Sequence, residues 1–359
     1  MSNSPSPLTP LSLGEADSAV LSSLSFWDKA KARTKRAVVR LVWLLILSSL
    51  LYFALRNAPL IDIWNTLKTL KLSQITIILI INATVIGLMT ARWWIIVRAE
   101  NPSVPFLTLI GYRLSVFGLS YFTPGPQVGG EPLQVIYLQR NHGVTFARAT
   151  SAVIMDKLLE FLVNFILIGI GAWAIVTVGL ISGTGFRLSL SLIGLAGLLA
   201  WPVGHIALLY RGIMPVSRIL LRQPFIQKNN KGIRLVIVAE RMASTFCRKH
   251  TRAMLLAISA SLLSILGIVI EYYLMVSFLG MQISTIQIFA ALTTMQVAFL
   301  MPLPGGLGAL EASQVFALGM FGQPPSAAIS LTLLMRGRDI LNGGLGLLLA
   351  GRGVNKFNR

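Results

Sequence analysis

The sequence predicts an all-α polytopic membrane protein with six crossings and two re-entrant hairpins in an inverted-topology repeat. Three observations carry this. Apolar residues make up 55% of the 359-residue chain and charged residues only 12%, with a mean hydropathy of +0.74, far from a soluble domain of this length. A Pro-Gly pair with a glutamate six residues after the glycine occurs twice between long apolar segments, at Pro124, Gly125 and Glu131 and at Pro304, Gly305 and Glu311. The bases sort by loop, as the positive-inside rule describes.

Runs of roughly 17 to 25 apolar residues span about 30 Å of hydrocarbon. Such runs lie at Val38 to Leu55, Ser73 to Val97, Ala149 to Val178, Leu188 to Leu209, Ala253 to Phe278 and Ser326 to Ala350. Two shorter pairs, Phe106 to Phe122 with Pro132 to Gln139 and Thr285 to Leu300 with Gly306 to Phe321, flank the Pro-Gly breaks and read as hairpins. Proline and glycine leave backbone groups unpaired, which is tolerated at membrane depth only against protein or a water-filled cavity. The expected organisation is a disordered Ser/Pro-rich tail over 1–28, a first repeat over 29–187 with hairpin 106–139, a second repeat over 188–351 and a tail over 352–359. The second repeat holds a connector at 210–252 and a hairpin at 285–321.

The net charge of +19 would suit nucleic acid, but no nucleic-acid module accompanies the basic stretches, so none is expected as a partner. Instead, Lys29 to Arg40 holds six bases and Arg211 to Arg252 ten; Arg92 and Arg98, Arg140 and Arg148, and three over 352–359 join them on one side. Arg56, Lys68, Lys71 and Arg187 fall on the other. Both termini are expected in the cytoplasm, with the chain in the cell membrane and no cleaved leader. On that count the first hairpin enters from the cytoplasm and the second from outside, which inverts the two halves and puts a substrate site where they meet. The connector alternates apolar Ile233, Val236, Ile237 and Met242 with bases, as a helix lying on anionic lipid head groups does. Leu60 to Leu72 is a second interfacial candidate.

Of twelve acids, six (Glu131, Asp156, Glu160, Glu271, Glu311 and Asp339) lie in or beside apolar segments, as do Arg113, Lys157, Arg336 and Arg338. A charge at the centre of a membrane helix costs roughly 2.5 to 3.5 kcal/mol, so these groups demand pairing or water. Asp156 and Glu160 share a helix face with Lys157 beside them, and Arg336 and Asp339 are three apart. The chosen substrate or transport residues are therefore Arg113, Glu131, Asp156, Lys157, Glu160, Glu311, Arg336, Arg338 and Asp339. The breaks are Pro124, Gly125, Gly129 and Gly130, with Pro304, Gly305, Gly306 and Gly308. Helix N-termini after the breaks attract an anion such as a phosphate, and arginine suits bidentate contact with it. For Glu131 and Glu311, capping a helix, binding a cation and carrying a proton are all open.

No catalytic constellation is expected: there is no nucleophile elbow, zinc-spaced histidine pair or P-loop. Cys247 is the sole cysteine, and His142, His205 and His250 are scattered, so no metal or cofactor is expected. The chain reads as a non-enzyme.

Gly129-Gly130-Glu131, Leu138-Gln139-Arg140, His142-Gly143-Val144, Asp156-Lys157-Leu158-Leu159-Glu160 and Pro304-Gly305-Gly306-Leu307-Gly308 with Glu311 together resemble the flippase-like transmembrane domain of lysylphosphatidylglycerol synthases. Free-standing relatives of that domain include members associated with hopanoid and dolichol-linked lipid pathways. Where the family usually shows Glu-Arg followed by Asp, this chain has Asp156, Lys157 and Glu160. The resemblance implies movement of an amphipathic lipid with an anionic or otherwise polar head group between leaflets. With the sequence read to Arg359, neither a soluble aminoacyl-transferase domain nor lipid aminoacylation is expected. A membrane component of a lipid-modification pathway and a small-anion secondary transporter are the alternatives.

Overall fold

The computed structural model describes residues 60–101, 103–122, 130–178, 196–197, 200–201, 203–223, 231–301 and 303–357, all within one compact unit. The expected crossing at Val38 to Leu55 and the residues Pro124, Gly125 and Gly129 lie outside this set, as does half of the crossing expected at Leu188 to Leu209.

Every described element is helical. A short helix α1 (Leu60–Lys68) precedes α2 (Leu72–Glu100), α3 (Phe106–Phe122), α4 (Glu131–His142) and α5 (Phe146–Thr177). Then come α6 (Pro215–Arg222), α7 (Lys231–Lys249), α8 (Thr251–Phe278), α9 (Thr285–Phe299), α10 (Ala309–Met320) and α11 (Pro325–Phe357). The boundaries have local causes. Gly143, in the left-handed region, ends α4 by returning the Val144 N–H to the Leu138 carbonyl. Ser284 opens α9 with a capping box: its N–H donates to Gln287 Oε1 at 2.8 Å, and Oγ accepts the Gln287 N–H.

Three helices, α2, α5 and α8, are long and apolar enough to cross a membrane. At 1.5 Å per residue they run about 42 to 48 Å. The sixth expected crossing is one continuous helix, the 33-residue α11, but Arg336, Arg338 and Asp339 at its centre dilute its apolar character. Leu255, Leu262 and Leu266 on α8 and Leu341, Leu345 and Leu348 on α11 stand about half exposed, a face that water would not tolerate and hydrocarbon would.

The long helices pack in a recurrent scheme: α2 lies against α8, α3 against α11, and α5 against α9. Exchanging the first set (α2, α3, α5) for the second (α8, α9, α11) reproduces the same three pairs. Glycine permits the close approaches. A methyl group on Gly346 would overlap the Leu114 carbonyl of α3, and one on Gly171 would overlap the Thr293 side chain of α9. Gly346→Ala is accordingly expected to lower stability by about 1 to 3 kcal/mol, because a helix backbone cannot move aside. Gly344→Ala, whose added methyl meets nothing, should leave the melting temperature unchanged.

Two hydrophobic cores result. One gathers Trp93, Leu109, Leu138, Leu159, Phe246 and Met254; the other gathers Ile78, Tyr272, Leu292, Leu310, Leu318 and Leu331. Along α2, Ile78 belongs to one core and Trp93 to the other, and between them Asn82, Val85, Ile86 and Met89 face the site.

In the connector, Glu240 of α7 accepts the N–H groups of Val216 at 3.0 Å and Ser217 at 2.7 Å. Those are free donors at the start of α6, so a buried carboxylate there is satisfied. Cys247 is buried in the same region and its thiol is pushed up to about 11 by that burial, which fits packing rather than reactivity.

Candidate functional site

Between the two cores lies a cavity of about 320 Å³. Its charged lining is Arg113 of α3, Glu131 of α4, Lys157 and Glu160 of α5, Glu271 of α8, and Arg338 and Asp339 of α11. Asn82, Gln134, Gln296 and Asn342 add amides, while Val85, Phe117, Met295 and Phe299 supply apolar wall. On α2, α5 and α11 these residues sit in the middle third of the helix.

The charges fall into three groups. The first joins α2, α3, α4 and α5. Asp156 is bracketed by Arg92 Nε at 2.6 Å and Arg113 Nη2 at 2.7 Å. Arg92 also reaches Glu160 at 2.9 Å, and Lys157 bridges Glu160 at 3.1 Å and Glu131 at 3.3 Å. Three bases therefore match three acids. Two of the six, Arg92 and Asp156, are almost fully enclosed, whereas the Lys157 and Glu131 side chains are 25% and 17% exposed.

The second group fastens the break before α10. Gly305, Gly306 and Gly308 all have positive φ (54°, 62° and 78°), a conformation that glycine adopts without steric cost. Their turn leaves carbonyls without helical partners, and Arg336 of α11 supplies the donors. Its guanidinium donates to the Gly305 carbonyl at 3.1 Å and the Gly306 carbonyl at 3.4 Å, to Tyr121 Oη at 3.4 Å, and bidentately to Glu311. Glu311 Oε2 in turn accepts the Gly308 N–H at 2.8 Å. Tyr121, at the end of α3, lies directly over Gly305.

The third group is Arg338 with two acids. It contacts Glu271 at 2.8 Å and Asp339 at 2.8 Å. Asn82 donates to the second oxygen of Glu271 at 3.4 Å and accepts from Asn342 at 2.7 Å.

Of the residues chosen from sequence, Arg113, Glu131, Lys157, Glu160, Arg338 and Asp339 line the cavity. Glu311 and Arg336 were expected to line it with Glu131 and Lys157. They lie outside its lining as a buried pair, because the broken turn consumes the guanidinium's donors. Asp156 is likewise enclosed behind the wall, held by two arginines. Of the break residues, Gly130 packs against Val116 and Ser120 of α3.

Sequence reasoning missed Arg92, which was counted among bases of a cytoplasmic loop. Its guanidinium is 2% exposed and paired inside the helix bundle, so charge sorting miscounted a buried partner as a surface base. The signal was its place well inside an apolar helix, followed by Trp93 and Trp94. Glu271, noted as an acid in an apolar segment, and Asn82 were not chosen for the site; only the packing of α2 on α8 brings them together.

A family model described as the lysylphosphatidylglycerol synthase TM region matches residues 40–343. The chain is similar to UPF0104 membrane protein MJ1595 of Methanocaldococcus jannaschii, 23% identical over 262 residues that cover 69% of this chain and 75% of that protein. It is also similar to UPF0104 membrane protein PH1989 of Pyrococcus horikoshii, 26% identical over 271 residues, 68% of this chain and 76% of that one. No solved structure matches it. On a family match that spans both cores and the charged cavity between them, the chain belongs to the lysylphosphatidylglycerol synthase transmembrane-region family.

Proposed function

We propose that this protein moves an amphipathic lipid between membrane leaflets, the polar head group passing through the charged cavity while the acyl chains stay in the bilayer. The observation that carries the reading is the cavity itself: a space large enough for a head group, set midway along membrane-length helices and walled by both ion pairs and apolar side chains. Polar groups at that depth mark a substrate or ion path. The paired scheme of α2 on α8, α3 on α11 and α5 on α9 supports the reading of 29–187 and 188–351 as inverted repeats with re-entrant hairpins and six crossings, the architecture of secondary transporters. No catalytic role is assigned to any residue, and transport is driven by a lipid gradient, a proton gradient or the membrane potential.

One observation weighs against a carrier of small soluble anions: every base at the cavity is already paired with an acid. An anion entering alone has no uncompensated positive charge to meet, whereas a lipid head group brings its own apolar anchoring. The pair open to exchange is Glu131 with Lys157, whose contact at 3.3 Å is the longest ion pair described at the cavity and joins side chains that are 17% and 25% exposed.

The double variant Glu131→Gln/Lys157→Met tests this. Both partners of a partly hydrated pair leave together, and Glu160, which loses Lys157, keeps Arg92, so stability should change by about 1 to 3 kcal/mol. Leaflet exchange of labelled phosphatidylglycerol in proteoliposomes is expected to fall about tenfold or more, the loss of at least one charge-assisted contact to the head group. Unchanged exchange by the folded variant would remove the site assignment.

A further inference from the structure

The three charge groups are not equally balanced. Around Asp156, three bases face three acids, and Arg336 faces Glu311 alone. Arg338 faces two acids, Glu271 and Asp339, and arginine cannot give up or gain charge to correct this. Among the described residues, the excess negative charge of the site is thus localised on one cluster.

The surroundings of that cluster point the same way. Glu271 is 2% exposed, and its Oε1 meets Arg338 Nη1 at 2.8 Å, the same guanidinium that Asp339 holds. The nearby donors are committed elsewhere. Arg338 Nε donates to Asp339, the Asn82 amide donates to the other oxygen of Glu271, and Asn342 donates to Asn82. Other charged or titratable groups on the same cavity are Arg113 and Tyr121 of α3, Glu131 of α4, Lys157 and Glu160 of α5, and Tyr272 of α8; none of them is a base without an acid partner. Two carboxylates sharing one guanidinium away from bulk water carry a charge that is costly to keep and that one proton removes.

We propose that the Glu271–Arg338–Asp339 cluster holds one exchangeable proton, taken up from water in the cavity onto the carboxylate pair, and is the proton-coupling site of the lipid movement proposed above. The proton belongs to the pair rather than to either residue alone. With the proton bound the cluster is neutral and matches the two balanced groups around it. With the proton released, the surplus charge favours either a head group bearing a positive charge or return of the proton. Glu131 and Glu311, the acids of the repeated motif, belong to the two groups in which bases match acids, with Lys157 and Arg336 in contact with them, and so carry no surplus charge.

The test uses the full-length protein in lipid and two readouts. Infrared spectroscopy follows the carbonyl band of a protonated carboxylic acid as pH is stepped, and proteoliposomes report leaflet exchange of labelled phosphatidylglycerol over the same pH range. In the wild type the band is expected to titrate, and exchange to change by up to about tenfold per pH unit on its limiting side, as one essential proton requires. Glu271→Gln and Asp339→Asn should each remove the titrating band and flatten the pH dependence of any exchange that remains. Glu240→Gln, in the connector, should alter neither. A band that is missing in the wild type at every pH, or that persists in both folded variants, overturns the proton site. If the band behaves as expected but the wild type moves no lipid, the proton site stands and the lipid reading falls.

Discussion

Substituting Arg336 with methionine is expected to destabilise the protein by about 3 to 5 kcal/mol, the range for removing one partner of a buried ion pair. The change strips the donors from the Gly305 and Gly306 carbonyls and leaves Glu311 with the Gly308 N–H alone among the contacts described for it. Unfolding in detergent should show a large fall in melting temperature. Arg336→Lys should recover only part of it, since one ammonium cannot reproduce a bidentate contact and reach both carbonyls. A melting temperature unchanged in Arg336→Met, combined with lost lipid exchange, would reverse this assignment and make Arg336 a head-group ligand.

Asp156→Asn is expected to have an effect of the same size, about 3 to 5 kcal/mol, for the opposite reason. It removes an acid from between two bases, so that Arg92 and Arg113 face each other across a neutral amide. Arg92 keeps Glu160, but Arg113 loses the carboxylate it holds at 2.7 Å. Adding Arg113→Gln to Asp156→Asn should restore part of the loss, and a double-mutant cycle should return a coupling of about 0.5 to 3 kcal/mol. Additive losses would mean that the two residues do not act as a pair.

Two of the helices beside the expected breaks were legible in the sequence almost to the residue. Phe106 to Phe122 and Thr285 to Leu300 are bounded by proline, glycine and capping serine, and the helices α3 and α9 occupy Phe106–Phe122 and Thr285–Phe299. Apolar run length and local capping act over a few residues and need no partner, so a linear reading captures them. The roles of the charges were less legible. The spacing of Glu131 from Lys157 and of Glu311 from Arg336 is nearly equal, and both pairs form, but one is partly exposed in a cavity and the other is locked into a glycine turn.

What the sequence by itself determined is the membrane setting, the helical class, the repeated Pro-Gly-Glu motif and the need for buried charges to find partners, because hydrocarbon penalises unpaired charge and backbone wherever they occur. Only the tertiary structure decided which charge meets which. Arg92 reaches Asp156 across 64 positions, Asn82 reaches Glu271 across 189 and Arg336 reaches Tyr121 across 215. Such pairings depend on helix rotation and on glycine-permitted approaches such as Gly346 at Leu114. Hydrogen bonding is confined to about 3 Å and the strength of an ion pair depends on its distance and exposure, so the difference between a sealed structural pair and a pair open to a substrate is a matter of packing geometry, which residue identity and spacing do not contain.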